Sequence, residues 1–169
     1  LGTIKVDGKR LQGKQMVDVM NAMDFDLVTF GNHEFDLKEK DLQDRLDESE
    51  FDWTSANSRQ VTENGLQPFY SNRASGKVPV SDYMVYEVED ADGDKMKFGV
   101  IGVNIDSNPK DFVHYADVYD EAERAYNLAK KETDFVVGLT HVAIDQDKKI
   151  AQLLPDLPLI MGGHEHYNM

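Results

Sequence analysis

The sequence contains no cysteine. Disulfides and thiolate metal sites are therefore excluded, while the redox compartment stays open. No apolar run is long enough to span a membrane. No leader with a basic start and an apolar centre is visible, and the chain begins at Leu1 rather than Met. Basic residues are scarce: Lys+Arg number 18 against 32 Asp+Glu, a formal charge of −14. Such a chain repels nucleic-acid backbones, and no basic run offsets the repulsion, so nucleic acid is excluded as a partner. A negatively charged substrate then needs local positive charge, which bound divalent cations would supply. Internal repeats and low-complexity segments are also absent.

What remains is a globular balance of 40% hydrophobic and 30% charged residues in 169 residues, which fits one domain spanning 1–169. Met16, Val19, Met20 and Met23 fall at helical spacing within Gly13–Met23, and a strand follows from Phe25 to Phe30. Leu37, Leu42 and Leu46 are the sparse apolar contacts of a charged surface helix, and Phe51 to Ala56 is a short strand. The stretch from Ser58 to Pro79 carries Gly65, Pro68, Gly76 and Pro79 with no clear period and reads as loop. Asp82–Glu89 and Met96–Asn104 form a hairpin around Asp92-Gly93. Asp120–Glu132 is a helix, Phe135–Thr140 a strand, Asp145 the cap of a helix running to Leu154, and Leu157–Met161 the last strand. Strands alternating with helices around one hairpin indicate a mixed sheet in an α/β layered fold.

Four of the five histidines lie in three short segments that each follow an apolar run: Gly31-Asn32-His33-Glu34, Thr140-His141 and Gly162-Gly163-His164-Glu165-His166. Three buried strands thus deliver imidazoles and an amide to one sheet edge, where open α/β sheets bind ligands. The Asn32 carbonyl oxygen is a hard neutral metal ligand. His33 can be a ligand or a general acid, and Asp36, three residues on, can fix its tautomer. The plain alternative for this segment is a turn with a helix N-cap at Asp36. His164 and His166 can splay toward two different ions from a glycine-rich loop that approaches the site closely. His141 draws its weight from this company, and His114 is assigned no role. Asp90-Ala91-Asp92-Gly93-Asp94 resembles the start of a calcium loop, but Lys95 and Ile101 stand where the pattern needs glycine and an acid.

Taken together, Gly31-Asn32-His33-Glu34-Phe35-Asp36, Gly138-Leu139-Thr140-His141 and Gly162-Gly163-His164-Glu165-His166 resemble the calcineurin-like metallophosphoesterases. The continuation Phe35-Asp36-Leu37, the strand Trp53-Thr54-Ser55-Ala56-Asn57, and Thr140-His141-Val142-Ala143-Ile144-Asp145-Gln146-Asp147 look like the 5′-nucleotidase branch. The resemblance implies a four-layer α/β/β/α sandwich, incomplete at both ends, with a dinuclear centre of zinc, manganese, iron or cobalt. It implies that Asn32, His141 and His164 ligate one ion and His166 the other. His33 would be the general acid, oriented by Asp36, and Asn32 and His33 would contact the substrate. The implied reaction is hydrolysis of a small phosphate ester, most simply a nucleoside monophosphate, by a metal-activated hydroxide. The alternatives are a cyclic-nucleotide or other phosphodiesterase, or a non-catalytic module with a degenerate metal site. The family's Asp-x-His and Gly-Asp segments before the Asn-His, and the nucleotidases' C-terminal nucleotide-binding domain, have no counterpart here. The chain is therefore expected to be an internal piece of a longer phosphoesterase, with weak metal binding and little turnover by itself. Such nucleotidases are often periplasmic, secreted or cell-surface proteins.

Overall fold

The computed structural model describes residues 4–166. The first elements are β1 (Lys5–Val6), β2 (Lys9–Arg10), α1 (Lys14–Ala22), β3 (Leu27–Thr29), α2 (Glu39–Glu48) and β4 (Asp52–Thr54). Four short strands follow, β5 (Ser58–Thr62), β6 (Gly65–Gln67), β7 (Tyr70–Arg73) and β8 (Gly76–Pro79). The remainder is β9 (Tyr83–Glu89), β10 (Lys95–Asn104), β11 (Val113–Tyr115), α3 (Val118–Ala129), β12 (Phe135–His141), α4 (Ile144–Leu153) and β13 (Ile160–Gly162).

The largest sheet has the order β13-β12-β10-β9, with β10 parallel to β12, β12 parallel to β13, and β9 antiparallel to β10. Its two faces are told apart by the two-residue period of β10. Gly99 faces the helical side, where an added Cβ would sit 3.0 Å from the Ala129 side chain of α3. Gly102 faces the other side, where a Cβ would lie 2.5 Å from Thr54 Cγ2 and 2.7 Å from Thr54 O. The parallel pair β3-β4 packs there, so close that only glycine fits. Covered on both faces, β10 is buried without a break from Gly99 to Asn104, and its sequence is correspondingly a continuous apolar run rather than an alternation.

Two cores result. Ile101, Val103, Ala122, Ala125, Val136 and Ile150 join the large sheet to α3 and α4. Phe30, Phe35, Leu42, Leu46, Trp53 and Phe69 join β3-β4 to α2 and the β7-β8 hairpin. Each fully buried Val, Leu, Ile or Phe side chain among them contributes about 1.5–3 kcal/mol. Beside the β3-β4 pair, the large sheet leaves an apolar groove of about 540 Å³ lined by Phe25, Leu27, Tyr86, Phe98, Leu139 and Met161.

Several expectations need correction. Residues 58–79 are not loop but strands β5 to β8, in two antiparallel hairpins whose turns hold Gly65 at φ 91° and Gly76 at φ 117°. These glycines mark turns that need positive φ, and strands of three to five residues are too short to display a period. The α1 helix forms as its spacing predicts, yet Met16, Val19 and Met23 are exposed and Val17 is its buried residue. Asp145 lies inside the first turn of α4 and is not its cap, and α3 starts at Val118 with the Asp117 carboxylate accepting from Tyr119 N and Asp120 N. The Asp92-Gly93 hairpin forms, with Asp90 Oδ1 accepting from the amides of Asp92 and Asp94. Among the described residues, no helix is long and apolar enough to cross a membrane.

Candidate active site

The three segments meet, though not at the edge of one sheet. His141 ends β12 and residues 162–166 follow β13, both in the large sheet, whereas Asn32 follows β3 of the facing pair. The site therefore lies between the carboxyl ends of strands from two stacked sheets, one served by each core.

His141 is fixed from several directions. In register it stands opposite Asn104, and its carbonyl accepts from Ile105 N at 2.8 Å. Its ring passes between two glycines. A Cβ on Gly31 would lie 2.9 Å from Cε1, and a Cβ on Gly163 would lie 3.2 Å from Nδ1. His141 Nε2 is 3.0 Å from Asn32 Oδ1. The His164 ring stands edge-on to it, with centroids 5.4 Å apart at 71°. Burial pushes the His141 imidazole below the usual histidine range, and the neighbouring His164, His33 and His166 push it further the same way. The ring is thereby kept neutral, the form that binds a metal.

The 162–166 loop is held at three points. Gly163 N donates to Thr140 O at 2.9 Å. Gly162 rests against Asp147, whose Oδ1 accepts from the buried Thr140 hydroxyl at 2.7 Å. Glu165 Oε1 accepts from Ile144 N, the first amide of α4, where the helix dipole favours a carboxylate. This anchoring sustains positive φ at two histidines, 92° at His164 and 56° at His166, a conformation costly for residues other than glycine. The loop turns His164 toward His141, while His166 stays exposed at the rim.

On the Asn32 side, His33 Nδ1 and Asp36 Oδ2 are 2.7 Å apart. Asp36 closes a single 3-10 turn (Glu34–Asp36) and does not cap a helix. Glu34 accepts from Gly31 N at 2.7 Å, and burial raises its carboxyl above the usual range. It braces the turn from within.

Three features here carry no signal in the spacing of the sequence. Asn108, in the link from β10 to β11, donates through Nδ2 to Asn32 O at 2.8 Å and to Asp36 Oδ1 at 2.9 Å. Behind His141, the fully buried Asn57 side chain donates through Nδ2 to Asn104 O and accepts through Oδ1 from Asn104 N, while Asn104 Oδ1 accepts from the Ser55 and Ser58 hydroxyls. Thr140 with Asp147 is the third. The Trp53–Asn57 segment points to the second only through its place in the resemblance. His114 lies on β11 opposite Arg59.

The donors present can be compared with what an ion requires. Two donors each about 2.1 Å from one ion, at angles of roughly 90–110°, lie about 3.0–3.4 Å apart. The 3.0 Å between His141 Nε2 and Asn32 Oδ1 meets this. An amide oxygen with imidazole nitrogens suits several first-row ions. Among the described residues, no group of three or more His, Cys, Asp or Glu side chains is arranged to hold an ion. The fit is thus to part of one coordination shell, built of neutral donors.

No family model matches the chain. Over 90% of its length it is 28% identical to the snake venom 5′-nucleotidase of Naja atra. Over 88% it is 27% identical to the trifunctional nucleotide phosphoesterase YfkN of Bacillus subtilis (strain 168). The crystal structure of the 5′-nucleotidase precursor from Thermus thermophilus superposes on 92% of the chain with a TM-score of 0.71 at 28% identity. The chain spans 28%, 12% and 29% of the lengths of these three proteins respectively.

Proposed function

We propose that this chain, a relative of the 5′-nucleotidases and calcineurin-like metallophosphoesterases, is part of a phosphoester hydrolase domain acting on nucleoside monophosphates. The observation that carries the reading is the meeting of Asn32 Oδ1 with His141 Nε2 at 3.0 Å, at the mouth of a turn that also holds the His33–Asp36 pair. The two stacked sheets with helices on their outer sides accord with a four-layer α/β/β/α sandwich.

In this reading Asn32, His141 and His164 hold one divalent ion, and His166 contributes to a second. Bound ions supply positive charge for the phosphoryl oxygens and acidify a water. The chain's own residues do the rest. The depressed basicity of His141 favours its uncharged ring, the form a metal requires. Asp36 accepts from His33 Nδ1, so the opposite nitrogen, Nε2, is turned outward, and in the imidazolium form it would give its own proton to a leaving alkoxide.

A second reading, a non-catalytic module with a degenerate metal site, is favoured by one observation: the described residues gather no three acid or imidazole side chains around a point. Cobalt titration followed by manganese- or cobalt-dependent release of phosphate from a nucleoside monophosphate separates the two. Metal-dependent release supports the hydrolase. Cobalt bound with no release, in this chain and in the full-length protein, supports the module.

A further inference from the structure

The His33–Asp36 pair is open to water. Its side chains are 57% and 50% exposed, and a pair so exposed holds its own geometry weakly. Asn108 provides what the pair lacks. Its amide has two N–H donors, and both are spent here, one on the carbonyl of Asn32 and one on Asp36 Oδ1. The Asp36 carboxylate is thereby gripped at both oxygens, Oδ1 by Asn108 and Oδ2 by His33. A carboxylate only accepts, so His33 must present Nδ1 as N–H and leave Nε2 facing out.

The segment bearing Asn108 is itself tied down. Ile105 N donates to His141 O at 2.8 Å, and the Tyr115 hydroxyl donates to Ser107 O at 2.7 Å. Asn108 sits at φ 56°, a left-handed conformation that asparagine tolerates better than most residues. One short link thus touches His141, Asn32 and Asp36.

We propose that Asn108 is a positioning residue: by bridging Asn32 and Asp36 it locks the tautomer and orientation of His33 relative to the candidate metal ligands. This rests on the hydrolase reading for its purpose, but not for its test. The measurement is the ¹⁵N spectrum of the imidazoles in the metal-free 169-residue chain, at a pH where His33 is neutral. The wild-type chain should show His33 protonated at Nδ1. Asn108→Gly removes the amide yet accepts positive φ without strain. Asn108→Asp keeps the shape but replaces donors with a charge facing Asp36. In both, the His33 signal should move toward the Nε2-protonated form that free imidazole side chains prefer, while His114 is unmoved. If either variant fails to fold, as judged by its melting curve and amide spectrum, the other decides. An unchanged His33 tautomer in a folded variant overturns the proposal. Failure of the wild-type chain and its full-length parent to hydrolyse any phosphate ester would count against the hydrolase reading alone, because the imidazole signature needs neither metal nor substrate.

Discussion

Gly31 and His141 compete for one space. A Cβ on Gly31 would stand 2.9 Å from Cε1 and 3.0 Å from Nε2 of the His141 ring, closer than side chains tolerate. The absence of a side chain at position 31 is therefore what lets the imidazole reach Asn32. Gly31→Ala should push the ring away from Asn32 and weaken cobalt binding by about 10–100-fold, the range seen when the surroundings of a ligand are disturbed. Isothermal titration with cobalt measures it, and unchanged affinity would show that His141 does not bind the ion.

The histidines should separate by role. His164→Ala is expected to lose metal, because its ring faces His141 across the cluster. His33→Ala is expected to keep metal and to lower the rate of the full-length protein by about 10²–10⁴-fold, the usual contribution of a general acid. Metal content by elemental analysis, alongside phosphate release, checks both. Equal metal loss in the two variants would place His33 among the ligands instead.

Asp147 should make stability fall as pH rises. Burial lifts its carboxyl above the usual range and nearby Glu165 adds to this, while the Thr140 hydroxyl opposes it. The folded protein then holds the proton more tightly than the unfolded chain. Its contribution is full below the unfolded value near 3.8 and is lost as pH climbs through the raised folded value. Asp147→Asn keeps an oxygen for Thr140 without the charge, so it should raise the melting temperature at pH 7 and leave it unchanged near pH 3. A lowered melting temperature at pH 7 would refute this.

Gly102→Ala should separate the two sheets. The new Cβ would meet Thr54 Cγ2 at 2.5 Å and the Thr54 carbonyl at 2.7 Å, and backbone cannot swing aside as a side chain can. The cost should be about 1–3 kcal/mol, the range for overpacking, read from urea denaturation. Gly65→Ala touches no neighbour within 4 Å and suffers only from its φ of 91°, so it is the gentler control.

How far the sequence could be read depended on whether the signal was local. β10 and β12, covered on both faces, leave continuous apolar runs, and α2 shows its buried Leu42 and Leu46 at helical spacing. The histidine segments were legible because each follows such a strand. The β5–β8 hairpins were not, because their strands are short and lie partly exposed, so no alternation builds up. The apolar spacing of α1 gave the helix but not its buried face, which depends on where α2 and Trp53 stand. Asn108 is 76 residues from Asn32 and 72 from Asp36, and nothing local distinguishes it from any turn asparagine. That both sheets feed the site is likewise a tertiary fact, since nothing within Leu27–Thr29 says which sheet it joins.

The open groove between Phe25 and Met161 governs how the chain behaves in a tube. A greasy trough on a body carrying −14 charges pits short-range adhesion against long-range repulsion. At low ionic strength the repulsion reaches roughly 30 Å and molecules stay apart, whereas at 1 M salt it shrinks to about 3 Å and the troughs can meet. Solutions of this chain should therefore cloud on salting rather than on dilution, and should cling to a phenyl resin in high ammonium sulfate.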